Sequence, residues 1–234
     1  MEVHLNLGAE HKFELSAGLL IYTDGTRSFA TLHEVRKERA GTPYLAEGQP
    51  LTTAFLRVLA EGLGSRMQPE ILPGTVLVRT PDLLVWWSPA KQRPMFFSPQ
   101  ADLARALNAK RFPHPALVFK VAGRELYVRA LDANERPTAT TPLKTAPYWN
   151  VGQDGRVCQG SMRSPEESSV VSIGGWENAF FRSEFTHVLG AVRLTKHPEG
   201  FSGLWRGLAG SRTRFPVEFL TDARQSLAEF VAEG

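Results

Sequence analysis

The strand-like segments of this 234-residue chain follow one another directly instead of alternating with helices. Runs rich in apolar residues occur in two pairs, each separated by a short turn: Thr75–Arg79 with Leu83–Trp87, and Ala116–Val121 with Glu125–Leu131. A further short strand is expected at Pro94–Phe97. A doubly wound parallel sheet needs strands that alternate with helices, whereas grouped strands form antiparallel sheets. The order therefore predicts an α+β fold with an antiparallel β-meander flanked by helices.

The predicted helices stand before, between and after these strands. They are indicated by apolar residues at helical spacing and by capping residues such as Thr52 and Ser98. The segments are Leu51–Leu63, a helix opened by Ser98-Pro99, Trp176–Leu189 and Thr221–Val231. Before the first of them, Asp24-Gly25 lies between apolar runs and predicts a β-hairpin. We therefore expect a β-rich N-terminal extension over residues 1–50 and a main domain over residues 51–234 that ends in a helix.

Composition and motifs argue against several classes of protein. The net charge is only +3, from 27 basic and 24 acidic side chains, which does not favour nucleic acid binding. Apolar runs such as Leu83–Trp87 are far shorter than the roughly 20 residues of a membrane span. No signal peptide is apparent, and we expect a cytoplasmic protein without a membrane partner. No phosphate-binding or dinucleotide-binding motif occurs, and the six histidines lack metal-ligand spacing, so no cofactor is expected.

The single cysteine, Cys158, lies in a long segment, residues 137–169, that is expected to be mostly irregular. Because it can form neither an internal disulfide nor a multi-cysteine metal site, it is either a small apolar core residue or a reactive thiol. The residues around Cys158 favour the interpretation as a reactive thiol. Asp154-Gly155 supplies a turn, Gly160 leaves room beside the sulfur, and Asn150 comes eight positions before the cysteine. A hairpin-like path could bring the Asn150 amide back beside the sulfur.

This segment resembles the catalytic loop of ubiquitin-conjugating enzymes. In that family a His-Pro-Asn tripeptide opens the loop, and a turn, an apolar residue and the nucleophilic cysteine follow. The matching positions here are Asn150, Val151, Asp154-Gly155, Val157 and Cys158. Tyr148 and Trp149 stand where the family has His and Pro. His114-Pro115 precedes two predicted strands, far before the cysteine, and is not matched to the family's His.

The wider pattern is more specifically similar to the prokaryotic conjugating-enzyme-like family D. That branch includes protein B of the PRTRC system, and its members keep the cysteine and lack the usual His. The similarity is carried by the loop around Cys158 together with three downstream groups: Trp176-Glu177, Phe180-Phe181 and Phe185-Thr186-His187. Residues 1–50 carry none of it.

The resemblance implies a UBC-like fold and a conjugating activity. Cys158 would accept a ubiquitin-like modifier as a thioester from a ThiF-like activating enzyme and pass it to a lysine amine or another nucleophile. Asn150 would either donate a hydrogen bond to the oxyanion or brace the loop. Tyr148 would take the bracing place of the missing His, and Asp154 and Gly155 would form the turn. Arg156 is a candidate for lowering the pKa of the thiol, and a JAB-type peptidase of the same system is a further implied partner.

Two other interpretations stay open. A catalytically inactive UBC-like protein could bind a modifier or act as a scaffold in a plasmid or mobile-element-associated system, and Cys158→Ala would then leave partner binding intact. A cysteine hydrolase could instead pair Cys158 with His187, which requires a cysteine–histidine contact of hydrogen-bond length.

Overall fold

A computed structural model describes residues 15–37, 42–62, 71–80, 82–98, 104–186 and 193–233. The chain divides into two compact units, residues 1–69 and residues 70–234. The first unit thus contains the β-rich extension expected over residues 1–50 and also the first helix. The domain boundary that we placed after residue 50 stays a prediction.

A four-stranded antiparallel sheet dominates the described part of the first unit. Its strands are β1 (Ala17–Thr23), β2 (Ser28–Lys37), β3 (Pro43–Leu45) and β4 (Gln49–Pro50), and the other three all pair with β2 in the antiparallel sense. Asp24 closes the β1–β2 turn because its carboxylate accepts hydrogen bonds from the backbone N–H groups of Thr26 and Arg27. The hairpin predicted from Asp24-Gly25 is therefore confirmed. Helix α1 (Thr53–Gly62) follows, with the Thr52 hydroxyl accepting a hydrogen bond from the Phe55 N–H at 3.2 Å.

The second unit is built on an antiparallel sheet. The strands that the structure describes there are β5 (Val76–Arg79), β6 (Leu83–Ser88), β7 (Lys91–Pro94), β8 (Phe96–Phe97), β9 (Arg111–His114), β10 (Leu117–Ala122), β11 (Glu125–Ala130), β12 (Pro142–Thr145), β13 (Glu184–Phe185) and β14 (Asp222–Ser226). Six of them form one sheet in the order β14-β12-β11-β10-β6-β5. Two further pairs lie outside it, β7 with β9 and β8 with β13. The predicted α+β class and the antiparallel meander are confirmed.

The helices of this unit differ from the predicted ones in three places. They are α2 (Ala104–Leu107), α3 (Ile173–Arg182), α4 (Gly200–Leu208) and α5 (Leu227–Ala232). The helix predicted over residues 176–189 ends early, because the Ser183 hydroxyl binds the Phe180 carbonyl at 2.7 Å and the chain then turns into β13. Residues 187–189 lie outside the described part, as does the predicted helix start at Pro99. Helix α4 was not predicted.

The closing helix predicted over residues 221–231 is wrong in its first half. Residues Asp222–Ser226 form β14 and pair with β12, so that only Leu227–Ala232 are helical. A capping box fixes the start of the helix: the Ser226 hydroxyl accepts a hydrogen bond from the Glu229 N–H, and the Glu229 carboxylate accepts one from the Ser226 N–H at 2.7 Å.

Side chains that alternate along the strands give the sheet two buried faces. On one face, Trp86 and Phe119 pack with Trp176, Phe180 and other aromatic residues of α3 and α4. On the opposite face, Val85 and Val118 pack with Leu227 and Phe230 of α5. The first face also buries Tyr148, Val151 and Val157, so the segment that carries Cys158 is anchored in the larger core. None of the helices in the described part of the chain is long and apolar enough to cross a membrane.

Candidate active site around Cys158

The segment from Asn150 to Cys158 folds as a tight hairpin. Val151 and Val157 pair across it as an isolated antiparallel bridge. The Gly152 N–H donates to the Arg156 carbonyl at 2.8 Å, and the Cys158 N–H donates to the Asn150 carbonyl at the same distance. The structure therefore brings Asn150 and Cys158 together through their backbones, along the path expected from the sequence.

Asp154 and Gly155 form the tip of this hairpin. The Asp154 carboxylate accepts a hydrogen bond from the Arg156 N–H at 3.0 Å. Gly155 has a φ of +88°, a conformation that L residues with a side chain rarely adopt. A Cβ atom at this position would lie 3.1 Å from the Val128 carbonyl oxygen and 3.2 Å from the Arg129 Nε. Both the turn and the neighbouring strand thus require glycine here.

The hairpin is attached along the edge of β11. The Val128 N–H donates to the Gly155 carbonyl, and the Val157 N–H donates to the Leu126 carbonyl, both at 2.8 Å. Tyr127 and Arg156 form a further antiparallel bridge. Because these bonds are backbone to backbone, they fix the register of the residues that immediately precede Cys158.

Cys158 itself is exposed, so its interpretation as a buried apolar residue is wrong. It lines an open groove of about 590 Å³. The other lining residues are Glu125, Gly152, Asp154, Arg156, Val157, Gln159 and Gly160. The single cysteine of the chain is therefore exposed to solvent beside polar side chains, on a backbone that is held by the sheet.

Arg156, the candidate for lowering the pKa of the thiol, is ion-paired at the edge of this groove. Its guanidinium donates to the Glu125 carboxylate, which also accepts a hydrogen bond from the Tyr127 hydroxyl at 2.8 Å. This bond and the carboxylate charge raise the pKa of Tyr127. Since the Glu125 charge compensates that of Arg156, the pair contributes little net charge to the groove.

The Asn150 side chain is buried, and both of its polar atoms are hydrogen-bonded to backbone groups. Its Nδ2 donates to the Glu184 carbonyl at 2.9 Å, and its Oδ1 accepts from the Thr186 N–H at 3.4 Å. The side chain thereby ties the start of the hairpin to β13. Of the two roles expected for Asn150, this arrangement favours bracing over an oxyanion contact.

Tyr148 is also fully buried, and it contacts a histidine that the sequence analysis did not include in the site. Its hydroxyl lies 2.9 Å from the Nδ1 of His114, whose Nε2 lies 3.2 Å from the Arg93 carbonyl oxygen. Because a carbonyl only accepts, Nε2 carries the proton, and the Tyr148 hydroxyl donates to Nδ1. Burial lowers the pKa of His114 to about 3 and raises that of Tyr148, so both side chains are neutral.

Arg129 is a second residue of the site that sequence reasoning missed. It is a buried residue of β11, and its Nη1 donates to the Gln153 carbonyl at 2.8 Å, directly at the tip of the hairpin. The available signal was a charged residue inside the apolar run from Leu126 to Leu131. Such a residue needs a partner when the strand is buried on both faces.

Two further expectations concern a histidine partner of the thiol and a metal site. His187, the partner required by the hydrolase interpretation, lies outside the described residues. Within the described part of the chain, no three His, Cys, Asp or Glu side chains come together in a group that could hold a metal ion.

The comparison with protein families identifies the family of the chain. A family model described as prokaryotic E2 family D matches residues 54–223, most of the chain and the whole Cys158 hairpin. The chain belongs to this family. Neither the curated proteins nor the solved structures provide a match to the chain. The family D protein is thus an E2-like protein of the ubiquitin-conjugating type, and its α+β fold is UBC-like.

Proposed function

We propose that this family D protein is a conjugating enzyme that carries a ubiquitin-like modifier as a thioester on Cys158. The observation that supports it is the placement of the single cysteine, exposed in a groove on a hairpin whose backbone is bonded to the sheet. The Cys158 thiolate would attack the activated C-terminal carbonyl of the modifier, form a carbon–sulfur bond and expel the activating group. An amine would then attack the thioester, and the Cys158 thiolate would leave and take up a proton.

The other site residues would hold this thiol in place. Asn150 would brace the hairpin through β13, and its backbone carbonyl would fix the Cys158 N–H. Asp154 and Gly155 would keep the tip closed, and Tyr148 would hold the start of the segment through His114. In this proposal none of the four transfers a proton or touches the reacting carbonyl.

The partners follow from the family and stay proposals. A ThiF-like activating enzyme would supply the modifier, and a JAB-type peptidase of the same system would remove or process it. We assign the protein to the PRTRC branch and to the cytoplasm on the same grounds. The modifier would present a flexible C-terminal tail, since the groove beside Cys158 is open.

A thioester assay tests the proposal. The protein is mixed with the ThiF-like enzyme and the ubiquitin-like protein encoded beside it, with ATP and magnesium, and the products are separated on reducing and non-reducing gels. We expect an adduct that a thiol reductant removes, no adduct for Cys158→Ala, and a reductant-resistant ester for Cys158→Ser. If an activating enzyme that is shown to charge its own modifier leaves Cys158 unloaded, the proposal fails.

Two observations favour the second candidate, a catalytically inactive UBC-like scaffold. Tyr148 stands where conjugating enzymes have His, and both polar atoms of the Asn150 side chain are already bonded to backbone groups. This interpretation expects the modifier to bind without a covalent adduct and Cys158→Ala to bind it equally well. Calorimetric titration of the wild type and Cys158→Ala with the modifier, beside the gel assay, separates the two functions.

A further inference from the structure

A buried cation joins the Cys158 hairpin to the C-terminal part of the chain. Arg129 is only 3% exposed and lies on the face of the sheet that α5 covers. Its Nη1 donates to the Gln153 carbonyl at 2.8 Å, and its Nε donates to the Gln225 Oε1 at 3.1 Å. One guanidinium therefore bridges the tip of the hairpin and β14.

The bridge continues from β14 into α5. The Gln225 Nε2 donates to a Glu233 carboxylate oxygen at 2.6 Å, and the Phe230 ring lies 5.8 Å from the Arg129 Cζ. Lys120 holds the end of the same helix, because its buried Nζ donates to the Phe230 carbonyl at 2.8 Å and to that of Glu233. Residues far apart in sequence thus meet at the guanidinium.

Arg129 stands where the edge of β11 changes its partner. It pairs with Thr145 of β12, whereas the residue before it, Val128, bonds to Gly155 of the hairpin. The hairpin and β12 are therefore consecutive on one edge, and Arg129 reaches out from the junction. The missing side chain at Gly155 leaves the space that the guanidinium fills, since a Cβ there would lie 3.2 Å from Nε.

We infer that Arg129 is a positioning residue for Cys158 and that the segment β14–α5 sets the geometry of the thiol through it. The planar guanidinium suits this role because it donates in two fixed directions at once, which a lysine ammonium does not. The Gln153 carbonyl would otherwise be free to turn toward solvent, and the hairpin could open from its tip. The consequence for modifier loading rests on the proposed function; the positioning of the hairpin does not.

Amide hydrogen exchange measured by NMR tests the positioning without any partner protein. The test variants are Gln225→Met, which removes the acceptor of Nε, and Arg129→Lys. The control variant is Asp222→Asn, which breaks the ion pair between β14 and Lys144 but leaves Arg129 untouched. In the test variants we expect the Gly152 and Cys158 amides to exchange about tenfold faster, the effect of 1.36 kcal/mol on an equilibrium. Amides of β10 should be unchanged.

Two results would overturn the inference. If Gln225→Met accelerates the hairpin amides no more than Asp222→Asn, or accelerates those of β10 equally, Arg129 serves only general stability. If Arg129→Lys keeps wild-type exchange at both amides, the charge suffices and the two-directional contact has no role.

The thioester assay then addresses the consequence for loading. We expect Gln225→Met to lower kcat for loading about tenfold with KM for the modifier unchanged, because the thiol is displaced and the docking surface is not. A reduced kcat in Asp222→Asn as well would contradict this. If wild-type protein forms no thioester, the proposed function fails, while the exchange data still decide the role of Arg129.

Discussion

Replacing Gly155 by alanine should destabilise the second unit more than the same change at Gly123, although both glycines stand in hairpin turns with positive φ. The angles are +88° at Gly155 and +58° at Gly123. A Cβ atom at position 155 would meet the Val128 carbonyl oxygen at 3.1 Å and the Arg129 guanidinium at 3.2 Å, whereas one at position 123 would meet nothing within 4 Å. A comparison of the two alanine variants therefore separates the cost of backbone strain from the cost of steric contact.

The expected losses follow from these two contributions. Placing an L side chain in a left-handed conformation costs about 1–2 kcal/mol. The alanine recovers about 0.4–1 kcal/mol by reducing the entropy of the unfolded chain. Gly123→Ala should thus lower the free energy of unfolding by about 1 kcal/mol. Gly155→Ala must also displace a carbonyl and a buried guanidinium, which adds about 1–3 kcal/mol by analogy with overpacked cores.

Urea unfolding followed by tryptophan fluorescence measures both changes. All five tryptophans lie between Trp86 and Trp205, so the signal reports on the unit that contains both glycines. The midpoints are compared at equal m values, since a change in m would mean a different unfolded or folded state. Equal losses for the two variants would refute the reasoning, because they would show that the hairpin yields freely where Val128 and Arg129 are supposed to confine it.

Three further predictions concern the residues around the thiol. Between pH 6.5 and about pH 3 the unfolded chain binds a proton at His114 that the folded protein does not. His114 should therefore lower the free energy of unfolding by about 1.4 kcal/mol for each pH unit that the pH drops. Urea titrations at pH 7 and pH 5 should show that this contribution vanishes in His114→Gln, and an unchanged pH dependence in that variant would contradict the prediction. Asn150→Ala should lower the free energy of unfolding by about 1–3 kcal/mol, because the Thr186 N–H and the Glu184 carbonyl lose their partner. A variant with a normal melting temperature that has lost thioester transfer would instead indicate an oxyanion role for Asn150. Arg156→Gln should change the free energy of unfolding by less than about 1 kcal/mol, since the ion pair of Arg156 with Glu125 is half exposed. A larger loss, measured from the urea midpoint, would show that this ion pair holds the hairpin.

The features that the sequence predicted correctly depend on short-range signals. Asp24-Gly25 and Gly123-Arg124 mark hairpins because turn residues stand between alternating apolar runs. The hairpin before Cys158 belongs to the same class, since Asp154-Gly155 closes it within a few residues. In each case the residues that interact are close in sequence, so that their types alone indicate the structure.

The features that were missed depend on long-range pairing or packing. Helix α4 contains Gly203 and Gly207 and has weak intrinsic propensity, but it buries Leu204 and Trp205 in the main core. The segment Asp222–Ser226 contains one apolar residue, Ala223, at helical spacing from Leu227, and it is a strand because β12 is available beside it. The capping box formed by Ser226 and Glu229 was a usable signal for the true helix start.

Ubiquitin-conjugating enzymes have His where this chain has Tyr148, and the surrounding core gives a physical explanation for the difference. Tyr148 is buried among aromatic rings, and its hydroxyl donates a hydrogen bond to His114, a residue on β9. Asn150 reaches β13 and Arg129 reaches the hairpin tip, so the segment before Cys158 is held from three separate strands. Because these three contacts already brace the segment, the bracing does not require His at that position. Under the proposed function, these contacts hold the backbone of the hairpin, while Cys158 itself stays exposed for the transfer reaction.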